Sequence, residues 1–536
     1  MIGPALERPG WLTALATSLA ESLPRLHGCP PDPGVGAVIE ALTAALADGQ
    51  LELTLEDPSH RRALAASPLT AEPCGPLVLE GDRVLWRRWQ RQRDTVLEAL
   101  IRRAGAAAVD PGHQGDQREV QGLVALHAEG LDADQRRAVA AVLRHRLVLL
   151  EGGPGTGKTS TVARMLAAVR LQHPDCRIHL AAPTGKAAAR LRTAISPVAP
   201  DLPCSTLHRL LESRGEGFGR NRRHPLGLDL LVIDEVSMVD LPLMEAVLEA
   251  LPAPCRLVLV GDAAQLPPVG PGPVLLELQT ASRRQALGEA AVELRTVYRN
   301  NGAIAAVAER LRCAEADRSP LGLEEQLARL PAEANLRWQQ AAPQRLPASL
   351  LARLRSHQAR LQELCRGLDP HDSAAIARLL GALDSCLVLT SRRRGRWGVD
   401  AIHRALLGEE QGQPIRAWPN GTPVLCQHNL SELGLANGDV GLVVDRGEGR
   451  RLLFAPAGSG DGLWIHPAQL PSPQPALALT IHKAQGSEAE EVWVLMPDSG
   501  RPVSRLLYTA LTRARRQAYL ITPDSPHADQ RQRQLP

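Results

Sequence analysis

A glycine-rich loop between an apolar run and a helical segment constrains the fold of this chain most strongly. The run "RLVLLEG" (146–152) is followed by "GPGTGKTS" (153–160) and then by apolar residues at helical spacing. Glycines allow backbone N–H groups to point at a phosphate, and the helix that follows adds its positive N-terminus. We therefore predict a strand, a phosphate loop and a helix. The loop residues expected to bind ATP are Gly152, Gly153, Pro154, Gly155, Thr156, Gly157, Lys158, Thr159 and Ser160.

Short apolar runs that end in turn signals alternate with helical segments on both sides of this loop. Besides 146–152, the runs are "RIHLAAP", "LLVIDE" and "RLVLVGD", and a second set contains "CLVLTSR", "EVWVLMP" and "QAYLITP". Such alternation is typical of parallel sheets with crossover helices. We therefore predict an α/β protein with two parallel-sheet domains.

Composition changes along the chain suggest further domain boundaries. We predict an N-terminal helical domain over 1–115 that ends in a linker, and a nucleotide-binding domain over 116–290. The second domain is predicted in two parts, 291–415 and 471–536, with helices over 303–383 and a disordered tail. Residues 416–470 carry turn signals such as "ANGDVG" between short β-type runs, which predicts a small β insertion.

Lysine is rare in this chain: of 61 basic residues only Lys158, Lys186 and Lys483 are lysines. Lys158 stands in the phosphate loop, where a compact ammonium group can reach the β- and γ-phosphates as arginine's planar fork cannot. A single lysine is most often an ordinary surface residue. Because all three stand inside recognisable motifs, we interpret them as functional.

Two acidic residues follow the apolar run "LLVI". Asp234 is predicted to hold Mg²⁺ together with Thr159, and Glu235 to orient or deprotonate the attacking water. Gln135, upstream of the loop, is suited to hydrogen-bond an adenine edge. These residues predict an NTPase that uses ATP and Mg²⁺.

The overall composition excludes little. The net charge of +3 neither indicates nor excludes a nucleic-acid partner, so any basic surface must be local. The nine cysteines form no CxxC pair, which argues against zinc and iron–sulfur sites. No stretch reaches the roughly 18 apolar residues of a membrane span. We expect a soluble cytoplasmic protein.

Further motifs follow the phosphate loop in a fixed order. They are "APTGKAAARL" (182–191), "STLHRLL" (205–211), "GDAAQLPPVGPGPVL" (261–275), "LRTVYR" (294–299), "ALTIHKAQGSE" (478–488) and "LLYTALTRAR" (506–515). The set resembles superfamily 1 helicases, and within them the RecD branch. The N-terminal "PLVLEGDRVLWRRWQRQRDTV" is similar to the lead-in of that branch's exodeoxyribonuclease V subunits.

This resemblance implies two RecA-like domains with ATP in the cleft between them, and 5′→3′ translocation on single-stranded DNA. It implies RecB- and RecC-like partner subunits, a role in double-strand break repair by homologous recombination, and a nuclease centre on another chain. Residues 416–470 resemble the SH3-like insertion of such helicases.

The resemblance also assigns roles to individual residues. Gln265 would sense the γ-phosphate, Asp262 would support Mg²⁺ or water, and Arg299 and Arg513 would cross the cleft to the transferring phosphate. The residues expected at DNA, or for the later ones at DNA or the ATP cleft, are Thr184, Lys186, Thr206, His208, Thr480, His482, Lys483 and Gln485. Asn300 and His403 depart from the family, which usually has Gln and Asn there.

Two other interpretations remain open: a stand-alone RecD-like helicase, and an NTP-driven switch that never unwinds duplex. Stand-alone relatives usually carry a longer N-terminal extension, so the phosphate loop's early position favours the subunit. Motifs that face DNA in both domains favour translocation over a switch. Between 81 and 103, seven arginines lie among Trp86 and Trp89, and we predict that this stretch contacts a partner.

Overall fold

A computed structural model describes residues 10–106, 122, 130–215, 217–298, 302–313, 323–331, 333–447, 449–456, 462–497 and 504–524. The predicted linker at 110–117 and nearly all of the predicted tail fall outside these residues. Within them, no helix is both long and apolar enough to cross a membrane.

The first α/β domain is built on a parallel sheet with the strand order β11-β4-β10-β9-β5-β6. Its strands are β4 (Leu147–Gly152), β5 (Ile178–Ala182), β6 (Cys204–Thr206), β9 (Leu230–Ile233), β10 (Arg256–Gly261) and β11 (Ala291–Leu294), with the short pair β7 (Ser213–Arg214) and β8 (Gly217–Phe218) outside the sheet. Strand β4 is buried along its whole length. Leu147 and Leu149 pack into one core and Val148 and Leu150 into another, so helices cover both faces.

Helices of this domain connect the strands. They are α5 (Ala133–Arg144), α6 (Lys158–Gln172), α7 (Gly185–Ile195), α8 (Leu207–Leu210), α9 (Leu241–Ala250), α10 (Val274–Glu277) and α11 (Ala281–Leu287). The four strands predicted from the apolar runs of this domain are β4, β5, β9 and β10. Strand β11 pairs with β4, so the first domain continues past the predicted boundary at residue 290.

The second α/β domain also has a parallel sheet, in the order β12-β21-β20-β13-β19. Its strands are β12 (Leu336–Ala341), β13 (Cys386–Thr390), β19 (Leu479–Thr480), β20 (Ala489–Leu495) and β21 (Ala514–Pro523). Its helices are α12 (Ala303–Cys313), α13 (Leu323–Ala328), α14 (Ala348–Cys365), α15 (Ser373–Leu383), α16 (Val399–Leu407) and α17 (Ser504–Leu511). Strand β12 lies inside 303–383, the segment predicted to be helical. It was not predicted because it is an edge strand, and an edge strand needs no continuous apolar run.

An antiparallel sheet is inserted between β13 and β19, in the order β17-β16-β15-β14-β18. Its strands are β14 (Pro423–Leu425), β15 (Val440–Asp445), β16 (Arg450–Phe454), β17 (Leu463–Ile465) and β18 (Gln474–Pro475). The predicted end at 470 is too early, because β18 pairs with β14. One face packs around Trp418 and Phe454, and the other lies on α14 and α15. The helices of 303–383 therefore include the platform on which the insertion rests.

The N-terminal region divides into two parts. Helices α1 (Gly10–Leu26), α2 (Pro33–Ala47) and α3 (Pro58–Ala65) pack with strands β1 (Glu52–Thr54), β2 (Leu77–Glu80) and β3 (Arg83–Trp86), followed by α4 (Arg87–Gly105). Strands β2 and β3 form an antiparallel pair. Helix α4 instead contributes Val96, Leu97 and Leu100 to the core of the first domain.

Three of the six arginines of α4 have internal roles. Arg87 and Arg93 are buried, and Arg87 donates to the carbonyls of Gly75 and Leu77. Arg103 donates to the carbonyls of Pro252 and Cys255 in the first domain. The partner-contact prediction for the arginine-rich stretch therefore cannot apply to all seven arginines.

Two truncations separate the parts of the N-terminal region. We expect a chain lacking residues 1–86 to keep a folded first domain, because α4 remains. A chain lacking residues 1–106 exposes the core under α4, at about 1.5–3 kcal/mol for each buried apolar side chain, and should unfold at a much lower temperature. Thermal unfolding followed by circular dichroism checks this.

Point variants supply the control for these truncations. Leu100→Ala should lower the free energy of unfolding by about 2–5 kcal/mol. Leu26→Ala removes the same atoms from a side chain that is 74% exposed, and should change the free energy of unfolding by less than about 0.5 kcal/mol. Equal unfolding of the two truncated chains would mean that α4 is not part of the core.

Buried histidines make stability depend on pH. His403 on α16 is neutral, because burial lowers its pKa to about 4, and its Nε2 accepts from the Ala478 N–H (3.3 Å). His179 and His357 have pKa values lowered to about 4 for the same reason. Between pH 6.5 and 4 these three histidines bind more protons in the unfolded chain than in the folded one, so their contribution to stability should fall as the pH falls through this range.

The variant His403→Asn tests this dependence, because an amide oxygen can accept the Ala478 hydrogen bond without titrating. Lowering the pKa of one histidine from 6.5 to about 4 corresponds to a change of about 3 kcal/mol in the free energy of unfolding over this pH range. We expect chemical denaturation to show a smaller loss of stability between pH 6.5 and 4 in the variant. An unchanged pH slope would show that His403 does not contribute to it.

Candidate nucleotide site and domain interface

The phosphate loop connects β4 to α6 directly. Strand β4 ends at Gly152, and α6 begins at Lys158 after Gly157 in the left-handed conformation (φ 83°). A Cβ at Gly157 would lie 2.9 Å from Gln135 Nε2. The Lys158 ammonium donates to the carbonyls of Gly152 (2.7 Å) and Gly153 (3.1 Å). The predicted loop residues therefore form one turn around this ammonium group.

Gln135 is held beside the loop by a capping box at the start of α5. Its Oε1 accepts from the Asp132 N–H, and Asp132 accepts from the Gln135 N–H. Tyr298 lies on the same side: its hydroxyl donates to Asp132 (2.7 Å) and its N–H to the Gly155 carbonyl (2.8 Å). Its ring is 53% exposed beside the loop. Tyr298 was not among the predicted residues, although tyrosine occurs only three times in the chain.

The acid pair lies where β9 ends. Burial and the neighbouring Glu235 raise the pKa of Asp234 to about 6, while Arg190 and Lys158 oppose this rise. Glu235 is buried and has a positive φ of 54°, a conformation that costs energy for a residue with a side chain. The two carboxylates and the Lys158 ammonium thus share one buried region.

The second domain contacts the first beside this region. The Tyr508 hydroxyl on α17 donates to Asp262 (2.7 Å), and Thr509 accepts from the Leu266 N–H (2.9 Å). The Gln485 side chain donates to the Leu266 carbonyl (3.0 Å). Gln265, between these contacts, is buried and donates to Asp262 (3.3 Å). The segment predicted to sense the γ-phosphate is therefore held by side chains of the other domain.

Arg190 on α7 makes a further contact between the domains. Its Nη1 lies 2.9 Å from Glu488 of the second domain and 3.9 Å from Glu235. Arg515 also pairs with Glu488 (3.2 Å). The residues predicted in this motif were Thr184 and Lys186. Arg190 was not predicted, although its position one helical turn after Lys186 indicates the same face of the helix.

The two predicted cleft arginines have different outcomes. Arg513 lies two residues past the end of α17, and it is buried. Its guanidinium donates to the carbonyls of Thr509 (3.1 Å) and Ser487 (3.5 Å), which both belong to the second domain. Arg299 lies outside the described residues. The role of both at a phosphate stays a prediction.

The predicted DNA residues lie in both domains. Thr184 and Thr206 cap the N-termini of α7 and α8. The ring of His208 lies 6.0 Å from that of Phe218. His482 and Lys483 are exposed, and Lys483 donates to Gln427 at the insertion (3.4 Å). The Lys483 N–H donates to Thr480 (3.4 Å), whereas Gln485 is buried at the domain interface.

Lys186 lies in a less open place than the predicted contact with DNA suggests. Burial lowers the pKa of its ammonium group, and the carboxylates of Asp384 and Asp439 oppose this. Together with Leu354, His357 and others, Lys186 lines a cavity between α7, the second domain and the insertion. Any DNA phosphate at Lys186 would therefore compete with two carboxylates.

Two family models match the chain. An AAA domain model covers residues 135–271, and a model of the UvrD-like helicase C-terminal domain covers residues 475–521. The first contains the phosphate loop and acid pair, and the second contains the "TIHKAQGSE" and "LLYTALTRAR" motifs.

Curated relatives cover much more of the chain. The RecBCD enzyme subunit RecD of Mycobacterium tuberculosis is 37% identical over 514 residues, 90% of this chain and 84% of that protein. The same subunit of Mycolicibacterium smegmatis is 36% identical over 86% of this chain and 81% of that protein. The chain belongs to the RecD family.

Other matches are more distant from this RecD-family chain. The ATP-dependent RecD2 DNA helicase of Deinococcus radiodurans is 33% identical over 72% of this chain and 48% of that protein. A crystal structure of Bacteroides Pif1 bound to single-stranded DNA aligns with 78% of this chain and 96% of that one, at 17% identity and a TM-score of 0.38.

The variant Tyr508→Phe tests the domain contact. It leaves Asp262 buried without its hydroxyl partner, at a cost of about 1–3 kcal/mol. We expect a lower unfolding temperature and a lower rate of ATP hydrolysis, because the segment next to Gln265 loses one of its ties to the second domain.

Tyr519→Phe is the matched control, because its ring stacks on Trp493 inside the second domain (4.1 Å between centroids). It removes the same atom away from the interface and should leave hydrolysis unchanged. If both variants hydrolyse ATP at the same rate, the Tyr508–Asp262 bond does not contribute to the site.

Proposed function

We propose that this chain is an ATP-driven 5′→3′ DNA translocase and helicase. In this proposal it acts as a subunit of an exodeoxyribonuclease V complex with RecB- and RecC-like subunits, in double-strand break repair by homologous recombination. The observation that carries the proposal is the contact of Tyr508, Thr509 and Gln485 with the segment 262–266 beside the phosphate loop. Through it, a change at the nucleotide would alter the relative position of the two domains.

The nucleotide would bind across the N-terminus of α6. Backbone N–H groups of the loop and the Lys158 ammonium would hold the phosphates, and Gln135 and Tyr298 lie where a base could be contacted. The carbonyls that now accept from Lys158 are weaker partners than a phosphate. ATP would therefore draw the ammonium away from them.

Thr159 and Asp234 fit a Mg²⁺ ion. Asp234 is a half-buried carboxylate next to that of Glu235, and this arrangement raises its pKa to about 6. A hard divalent cation prefers such oxygen ligands. When bound, Mg²⁺ would neutralise charge on the β- and γ-phosphates.

Hydrolysis would use residues of both domains. Glu235 would orient the attacking water, and Gln265 would respond to the γ-phosphate. Arg513 would stabilise the transferring phosphate only after its bonds to the carbonyls of Thr509 and Ser487 break. That requirement ties the catalytic arginine to domain closure.

DNA would run over both domains, here taken as RecA-like, beside the SH3-like insertion. Thr184, Lys186, Thr206 and His208 would contact it from the first domain, and Thr480, His482 and Lys483 from the second. Exposed His482 and Lys483 support this path. A set on each domain allows stepwise movement, which a simple binding switch does not require.

The partner subunits would contact the N-terminal region. Trp11 and Leu15 are 66% and 45% exposed on α1, and Arg88 and Arg91 are exposed on α4. Tryptophan and arginine are frequent anchors of protein interfaces. Similarity to the mycobacterial RecD subunits over 86–90% of the chain supports the subunit over the stand-alone helicase. Purification at native abundance identifies what co-elutes.

The variant Lys158→Arg tests the nucleotide site. We expect it to abolish ATP hydrolysis although the charge is kept, because the guanidinium is wider than the ammonium group that the loop encloses. The measurement is ATP turnover with and without single-stranded DNA.

Arg164→Lys is its control, since it exchanges the same two residue types on the exposed side of α6. It should hydrolyse ATP at the wild-type rate. Near-wild-type turnover by Lys158→Arg would contradict the proposed role of the lysine.

Unwinding of partial duplexes with either a 5′ or a 3′ single-stranded tail tests polarity, and unwinding from the 3′ tail alone would overturn the 5′→3′ direction.

A further inference from the structure

Arg190 lies between two carboxylates that belong to different domains. Its Nη1 is 2.9 Å from Glu488 Oε1 and 3.9 Å from Glu235 Oε1. The Glu235 and Glu488 side chains are only 10% and 15% exposed. The Arg190 guanidinium therefore pairs more closely with the Glu488 carboxylate than with that of Glu235.

The charges around Arg190 explain why the group is stable there. Burial alone would lower the pKa of Arg190, but Glu488, Glu235 and Asp234 raise it. On the other side, Arg190 and Arg513 lower the pKa of Glu488 against the effect of burial. Both members of the interdomain pair are therefore charged, and each has a second group of opposite charge nearby, Arg515 for Glu488 and Glu235 for Arg190.

The helix that carries Arg190 also touches the second domain at its N-terminus. The Thr184 hydroxyl caps α7, and a Cβ at Gly486 would lie 3.0 Å from that hydroxyl. Residues 486–488 thus lie along the first turns of α7. A shift of the second domain relative to the first must move Glu488 relative to Arg190.

We propose that Arg190 gates Glu235: Glu488 holds Arg190 away from the Glu235 carboxylate while the domains are together, and its withdrawal lets Arg190 capture Glu235. This inference rests on the proposed ATPase function and adds a positioning residue to it. With Glu488 in place, Glu235 is free to orient water. Without Glu488, Glu235 is the other carboxylate within 4 Å of Arg190 in the part of the chain that the structure describes. A tight Arg190–Glu235 ion pair would then draw the Glu235 carboxylate away from the water.

The gate has an unusual consequence for variants. Glu488→Gln removes the competing charge, so DNA-stimulated kcat should fall at least tenfold, while the KM for ATP changes less than about twofold. Arg190→Gln removes the gate itself, so turnover without DNA should rise at least twofold and the stimulation by DNA should shrink. The double variant should resemble Arg190→Gln, with turnover at least fivefold above Glu488→Gln.

Arg515→Gln is the matched control, because Arg515 also pairs with Glu488 (3.2 Å). Among the described residues its ion pairs are with Glu488 and Glu490 and do not include Glu235. Its turnover and its stimulation by DNA should equal the wild type. A role limited to joining the domains predicts instead that Arg190→Gln lowers turnover and that the double variant is no better than Glu488→Gln. Either result, or an Arg515→Gln variant that behaves like Glu488→Gln, would overturn the gate.

The experiment uses the full-length chain, with the fold of each variant checked by thermal unfolding. If Glu488→Gln fails to fold, Glu488→Asp keeps the charge but shortens its reach, and should show a smaller loss that Arg190→Gln relieves. Absence of relief would also overturn the gate. A wild-type chain without ATP turnover would refute the proposed function itself, a result distinct from normal wild-type turnover with no relief in the double variant.

Discussion

The buried hydrogen bond from the Tyr508 hydroxyl to Asp262 is the contact on which the arrangement of the domains depends. Asp262 stands at the end of a central strand of the first sheet, and Tyr508 on a helix of the second domain. Gln265 and the Ala264 N–H also donate to Asp262 from within the first domain, whereas Tyr508 donates from the second, so this bond favours one relative position of the two domains. Burial and the Asp262 charge both raise the pKa of the Tyr508 hydroxyl, which therefore stays a donor.

The sequence predicted those parts of the molecule that depend on local patterns. The phosphate loop and the acid pair each follow an apolar run, and the runs are strands as predicted. Strands β11 and β12 escaped prediction because they lie at sheet edges, where their polar residues face away from the core. The role of α4 escaped because an amphipathic helix does not reveal which core its apolar side enters.

Contacts between the domains were the hardest part to predict. Arg190 and Glu488 are separated by nearly 300 residues in the chain, and neither has a local pattern that would connect them. Arg513 was predicted at the transferring phosphate from its motif, but its hydrogen bonds to the carbonyls of Thr509 and Ser487 depend on the fold around it. In a chain with 58 arginines among 61 basic residues, the residue type alone does not indicate which arginine has a functional role.

Helix α4 belongs to the N-terminal region by sequence and to the first domain by packing. Its side chains Val96, Leu97 and Leu100 lie in the same core as Leu147 and Leu149 of the strand that leads to the phosphate loop. A protein that binds only the folded form of this region would shift the folding equilibrium of the motor by mass action. At a free concentration one hundred times its dissociation constant, the gain is about 2.7 kcal/mol. Assembly would then govern how much of this chain survives heat or proteolysis, without any direct contact to the nucleotide.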